Sequence, residues 1–433
     1  EVLDPTPLNL VISFVTAGLT SIDNLTSTLL QAVLTLSNNV TQTVSALVNW
    51  VIAAIQGDAA ATLTTDVIAN STALTAIKEG EISITSNYLG LTSNSISLPI
   101  NFIPNKVIAF GDGFNAVDAA GYGVNTVQAT VGTDLPDDTI AGRLAYRRYG
   151  ITLTNVSGTV LLDPTKNGFS YAQGLARIQD SATPSGDSIE KQIANFLSSN
   201  TPSSRDLFII SSGSLDIYDA FTNNSVLNAP VSALVASVKR LTDAGANHVL
   251  VIYPPNMSRT PWAVRKTALD RNAIQSLSYD NVASCASFAC LTTREFDRTY
   301  TTTSEKSKIL VADLMNYSNL ITGTSGTSTV TFEGAAITTI GTELVNTFVD
   351  YVVTNPDLPA CFSVTTPPTS PLLCNTTISD TAGGVNTGTN GWNSVAWDYK
   401  NSVFADNFYF TPYANRLYAD YIYEVTMLRK NWR

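Results

Sequence analysis

The sequence predicts an α/β fold, a parallel sheet flanked by helices, preceded by an N-terminal helical hairpin. Three observations carry this reading. From residue 106 onward, short apolar runs at 107–110, 207–210, 249–253 and 309–312 alternate with helical stretches, the pattern of a parallel sheet covered by helices. Residues 18–56 carry an apolar stripe at helical spacing. The 433 residues are enough for two or three domains.

In chain order, residues 1–17 are expected to be an arm, with the apolar run 8–15 too short to span a bilayer. Ile22, Leu25, Leu29, Val33, Leu36, Val40, Val44, Leu47, Val51 and Ile55 recur at spacings of 3-4-4. That 11-residue period keeps one stripe on one side of a nearly straight helix. Gly57-Asp58 then ends one helix and caps the next, whose apolar face is Leu63, Val67, Leu74 and Ile77. Residues 18–80 therefore read as a long helical hairpin, and the ten stripe residues as assembly candidates. Residues 81–104 read as a linker of short strands, and 105–433 as the main domain with an insertion at about 318–405.

Lys plus Arg is 24 and Asp plus Glu is 35, so the net charge is −11, which argues against a nucleic-acid surface. One histidine, His248, cannot build a His-rich metal site, and neither a metal nor a cofactor is expected. His248 begins an apolar run and reads as a structural histidine. The cysteines fall in two close pairs, Cys285/Cys290 and Cys361/Cys374, which favours two disulfides and an oxidising compartment. Eight N-x-S/T sequons, at Asn24, Asn39, Asn70, Asn155, Asn223, Asn256, Asn316 and Asn375, permit glycosylation without arguing for it, because chance placement predicts about as many. The start at Glu1 reads as a mature chain whose secretion signal has been removed. The expectation is a secreted or cell-surface protein.

Loops of unusual composition follow the strand runs, where sites in open α/β sheets collect. Phe110-Gly111-Asp112-Gly113, the segment 170–176 (SYAQGLA), Gly213-Ser214-Leu215-Asp216, the segment from Gly245 to Pro254-Pro255, and Asp406-Asn407-Phe408-Tyr409 with Thr411 and Asn415-Arg416-Leu417 come in that order. Together they resemble the five blocks of the GDSL lipases and esterases, the SGNH hydrolases. The resemblance covers about 105–433 and implies an SGNH-hydrolase-like sheet. It implies Gly174 as a retained oxyanion-hole glycine, and Asp112, Asp216 and Asp406 as retained structural acids. It also places Gly113 where the family has its serine nucleophile, Leu215 where it has an asparagine donor, and Tyr409 where it has the histidine base.

A glycine cannot attack, a leucine cannot donate to an oxyanion, and a phenol with an ordinary pKa near 10 is a poor base at neutral pH. Loss of a nucleophile or base costs several orders of magnitude in rate. Ser212 and Ser214 beside the third block have no histidine to activate them, and Asp406 with Asp112 or Asp216 is the weaker reading as a glycosidase-like pair. The expected function is a noncatalytic extracellular glycoprotein that self-associates, as an oligomer or filament, through its N-terminal arm and long helix. The alternative is a module binding a carbohydrate or acyl group in the inherited cleft, with Tyr409, Phe408, Phe410 and Tyr413 as stacking rings. An unorthodox esterase ranks last.

Overall fold

The computed structural model describes residues 6–23, 26–56, 59–119, 121, 123–124, 136, 138–180, 187–279, 285–321, 330–332, 335–337, 403–405 and 408–432. The chain divides into two compact units, residues 1–103 with 427–433, and residues 104–426.

The first unit is built of strands, not of a helical hairpin. They are β1 (Pro7–Phe14), β2 (Ile22–Asp23), β3 (Ser27–Leu36), β4 (Thr41–Thr43), β5 (Asn49–Gln56), β6 (Ala60–Asp66), β7 (Ser71–Lys78), β8 (Gly80–Tyr88), β9 (Leu91–Thr92) and β10 (Ile96–Asn101). One sheet has the order β1-β3-β7-β6 with β4 also on β3, the other β2-β10-β8-β5 with β9 also on β8. All neighbours are antiparallel except the short β2–β10 pair. The two sheets share one core, in which Leu10, Ile12, Leu30, Ala32, Leu34, Leu74, Ile82, Ile84, Leu98 and Ile100 are buried.

The physical reason for the correction lies in β3. Its inward side chains are Leu30, Ala32 and Leu34, a period of two. The 3-4-4 stripe crosses this alternation, because a step of four stays on one face of a strand and a step of three changes face. Leu29, Val40, Leu47, Val51 and Ile55 consequently lie exposed, while Ile22 and Val44 are buried. Val33 and Leu36 are half-buried, and Leu25 falls outside the described residues. Asn39 turns the chain in the left-handed region, at φ 63°, inside the span read as a helix. Ser, Thr and β-branched residues dominate the segment and suit a pleated surface.

The other boundaries move with it. The arm 1–17 contains β1, and the linker 81–104 contributes two long strands and one short one to the same sandwich. Residues 427–433 also belong to this unit rather than to the main domain. The Phe102 N–H donates to the Asn431 carbonyl at 2.7 Å, and the buried rings of Phe102 and Trp432 meet at 5.8 Å.

The second unit is α/β, as expected. Its strands are β11 (Lys106–Phe110), β12 (Thr154–Asn155), β13 (Gly168–Ser170), β14 (Asp206–Ser211), β15 (His248–Ile252) and β16 (Ile309–Ala312). Its helices are α1 (Ile140–Tyr149), α2 (Ile189–Ser199), α3 (Ser214–Thr222), α4 (Asn228–Asp243), α5 (Pro261–Val264), α6 (Ala268–Ser278), α7 (Phe288–Thr299), α8 (Thr303–Lys306), α9 (Met315–Ile321) and α10 (Pro412–Ile422). The six strands pair in parallel in the order β12-β13-β11-β14-β15-β16. All residues of β14 and β15 are buried, the continuous burial expected of a sheet covered on both faces. Part of the expected insertion appears as a hairpin of β17 (Val330–Phe332) and β18 (Ala335–Ile337). Cys361 and Cys374 lie outside the described residues. No described helix is long and apolar enough to cross a membrane.

The sandwich predicts opposite costs at adjacent positions. Leu30→Ala should lose about 2–5 kcal/mol in denaturant unfolding, whereas Leu29→Ser should change stability by about 0.5 kcal/mol or less. A helical stripe through Leu29 would reverse that order.

Candidate functional site

The chain leaves β11 for β13 on one side and returns to β14 on the other, so the direction of strand addition reverses between β11 and β14. Ligand sites in open parallel sheets form at such a switch point, outside the carboxyl ends of the strands. Here the space is occupied by the protein itself. Gly111 sits at φ +129°, and a Cβ on it would fall 2.3 Å from the Ser211 carbonyl oxygen, so the turn after β11 presses directly on the end of β14. Gln192 from α2 holds this glycine at both ends: its Oε1 accepts from the Gly111 N–H at 2.8 Å and its Nε2 donates to the Gly111 carbonyl at 3.0 Å.

Asp112 is 1% exposed. Its Oδ1 accepts from Ser211 Oγ at 2.9 Å and from the Phe114 N–H at 3.2 Å, while Oδ2 has no hydrogen-bond partner among the described residues. Burial pushes its carboxyl up to about 6, against the opposing hydrogen bonds from Ser211 and the Phe114 N–H. Asp216, on the first turn of α3, is also buried, and its two oxygens share the Ile178 N–H at 3.3 Å. Burial again dominates and raises it to about 7, with Asp219 adding to the rise and Arg177 opposing it. Arg177 itself pairs with Asp219.

Gly113, Leu215 and Tyr409 are all enclosed. Gly113 is buried in the turn after β11. Leu215 and Tyr409 are each 1% exposed. The Tyr409 ring meets Phe114 edge-on at 5.2 Å, and its hydroxyl accepts from the Leu175 N–H at 3.1 Å. Leu175 takes a left-handed φ of 66°, beside the half-buried Gly174. Phe410 stacks on Tyr418 at 4.2 Å and meets Phe114 at a tilt at 4.8 Å, and Phe408 stacks on Trp262 at 5.4 Å. Of the rings singled out as a stacking platform, Phe408, Tyr409 and Phe410 are core. Ser212 and Ser214 are buried, with hydroxyls that have no hydrogen-bond partner among the described residues.

The last block is structural as well. Thr411 caps α10 by accepting from the Ala414 N–H, Asn415 Nδ2 donates to the Asp138 carbonyl at 2.7 Å, and Arg416 pairs with Asp138 at 3.1 Å. Asp406 lies outside the described residues, as does the side chain of Tyr413. His248, 3% exposed, opens β15 with Nδ1 3.1 Å from the Ser204 carbonyl.

Cys285 and Cys290 form a disulfide. Among the sequons, Asn256 is corrected: it is 1% exposed, its Nδ2 donates to Asn319 and its Oδ1 accepts from Ser258, so no glycan fits there. The Asn70 amide donates to the Thr43 carbonyl at 2.6 Å, a bond that glycosylation would disturb. Asn39, Asn155 and Asn223 are exposed. Asn24, Asn375 and the side chain of Asn316 lie outside the described residues.

One feature had no counterpart in the sequence motifs apart from its two cysteines. Tyr253, Tyr279, Cys285, Cys290, Arg294 and Asp313, with their neighbours, line a groove of about 730 Å³ next to the ends of β15 and β16. A strand-end tyrosine before Pro254-Pro255 and the i, i+4 pair Arg294/Arg298 were the signals available for it.

No family model matches the chain, and no curated protein matches it. Among solved structures, the Lin-41 filamin domain is similar over 22% of this chain and 96% of its own, with 15% identity and a TM-score of 0.17. A family two carbohydrate esterase from Clostridium thermocellum is similar over 57% of this chain and 64% of its own, with 10% identity and a TM-score of 0.28. At these TM-scores the likeness identifies neither a fold family nor an activity.

The buried carboxyls set a pH dependence. Below about pH 4 the folded and unfolded chains both hold the Asp112 proton. As pH rises towards 6, the unfolded chain releases it first and gains stability relative to the fold. A rise from 3.8 to about 6 corresponds to a loss of about 3 kcal/mol, and Asp216 extends the decline to about pH 7. Denaturant midpoints should therefore fall between pH 4 and 7, and Asp112→Asn should flatten the part between 4 and 6. A second outcome follows from the Leu175 bond: Tyr409→Phe should cost about 1–3 kcal/mol, because it leaves an amide without its acceptor.

Proposed function

We propose that this chain is a noncatalytic extracellular glycoprotein, built on a scaffold resembling the SGNH hydrolases, that associates with copies of itself through its N-terminal β-unit. The observation that carries the first half is the enclosure of Gly113, Leu215 and Tyr409, which offer no nucleophile, amide donor or imidazole at the switch point. Asp112 is too deeply buried to touch a substrate.

The second half rests on surface chemistry. The N-terminal unit exposes Leu8, Val11, Val15, Leu29, Leu47, Val51 and Ile55, and two of these, Val51 and Ile55, lie on β5. β5 is the last strand of its sheet, and its sequence NWVIAAIQ carries no charge. Edge strands that stay apart usually carry lysine, proline or inward charge. Strand pairing between uncharged edges is also compatible with a chain of net charge −11, because like-charged copies meet where neither carries charge. The Cys285–Cys290 disulfide supports the extracellular reading.

Purified chain should show no turnover of p-nitrophenyl acetate above buffer. Light scattering after size exclusion should show a mass above the 46.2 kDa chain that Val51→Lys with Ile55→Lys returns to monomer. A monomer at high concentration would refute the assembly half, and saturable turnover the noncatalytic half.

A further inference from the structure

We propose that the groove beside the Cys285–Cys290 disulfide is a binding site for a neutral carbohydrate, distinct from the filled switch point and independent of self-association. Its place is the first argument. Tyr253 directly follows β15 and Asp313 directly follows β16, so the groove opens at the carboxyl ends of two adjacent parallel strands, where such sheets place their ligands. Its volume of about 730 Å³ falls within the range of about 300–1,000 Å³ usual for small-molecule sites.

Its walls are fixed. The disulfide ties Cys285 to the first turn of α7, whose cap Ser287 accepts from the Cys290 N–H. Tyr253 bonds Thr293 at 3.0 Å, and the Tyr279 hydroxyl donates to the Pro254 carbonyl at 2.8 Å. These bonds hold two phenol rings and a run of α7 in one arrangement.

Its chemistry selects the ligand class. Arg294 and Arg298 face Asp297 and Asp313 around the groove, two positive groups against two negative ones, so neither an anion nor a cation is favoured by net charge. Arg298 already pairs with Glu295, and Asp297 with Lys306. Arg294 is exposed and makes no hydrogen bond or ion pair with a described residue. A guanidinium fork supplies only donors, carboxylates supply only acceptors, and the half-buried Tyr279 ring supplies an apolar face; Tyr253, 2% exposed and packed on Phe288, belongs to the wall. A ring bearing adjacent hydroxyls satisfies all three, since each hydroxyl both donates and accepts and the ring's C–H face lies on an aromatic.

The test is calorimetric titration of the full chain with maltohexaose, cellohexaose and, as an anionic probe, hexagalacturonate. Saturable binding of a neutral hexasaccharide is expected, weakened about tenfold or more by Arg294→Ala, an exposed change that should leave the melting temperature in place. Tyr409→Phe, at the filled switch point, should leave affinity unchanged. Three results would overturn the proposal: no binding of either neutral probe, equal binding by Arg294→Ala, or tighter binding of hexagalacturonate.

Discussion

The close approach of the Gly111 turn to the end of β14 is the constraint on which the second unit depends. With no side chain at Gly111, the turn lies against Ser211, and that contact drives Asp112 into the interior, where Ser211 and Phe114 satisfy one of its oxygens. The carboxyl is then held by burial rather than by a cation, and rises. Tyr409 closes the remaining side by accepting from Leu175. A switch point that in other open sheets makes a crevice is here an extension of the core, sealed by one aromatic cluster of Phe114, Tyr409, Phe410 and Tyr418.

The parallel sheet was legible because its longer strands are short apolar runs, β14 and β15 buried throughout, each ending in a distinctive loop. Four expected runs correspond to β11, β14, β15 and β16. β12 and β13 are two and three residues long, too short to register as apolar runs. Gly113, Leu215 and Tyr409 were legible one by one as departures from the blocks that the sequence resembles. Their enclosure was not, since it depends on Phe114 and Leu175 meeting Tyr409 across more than 200 residues of chain.

The N-terminal unit shows the opposite failure. Its strands place apolar side chains on both faces, so the outward Leu29, Val51 and Ile55 completed a helical period that no helix occupies. The competing signals were present: alternation at Leu30, Ala32 and Leu34, abundant Thr and Ser, and an Asn38-Asn39 turn. A run of residues 18–56 with a single charge also lacks the i, i+4 ion pairs that exposed long helices use. Period alone cannot separate a two-faced strand from an amphipathic helix when the outer face is apolar too.

A switch point filled by Gly113, Leu215 and Tyr409 should hold no activated nucleophile. Incubation of the native chain with a fluorophosphonate, followed by mass spectrometry of its peptides, tests this directly, because the reagent labels serines whose oxygen is made nucleophilic by a neighbouring base. The account predicts unmodified peptides across Gly111-Asp112-Gly113 and across Ser211, Ser212 and Ser214. A stoichiometric adduct on Ser212 or Ser214, lost on heat denaturation before labelling, would contradict it.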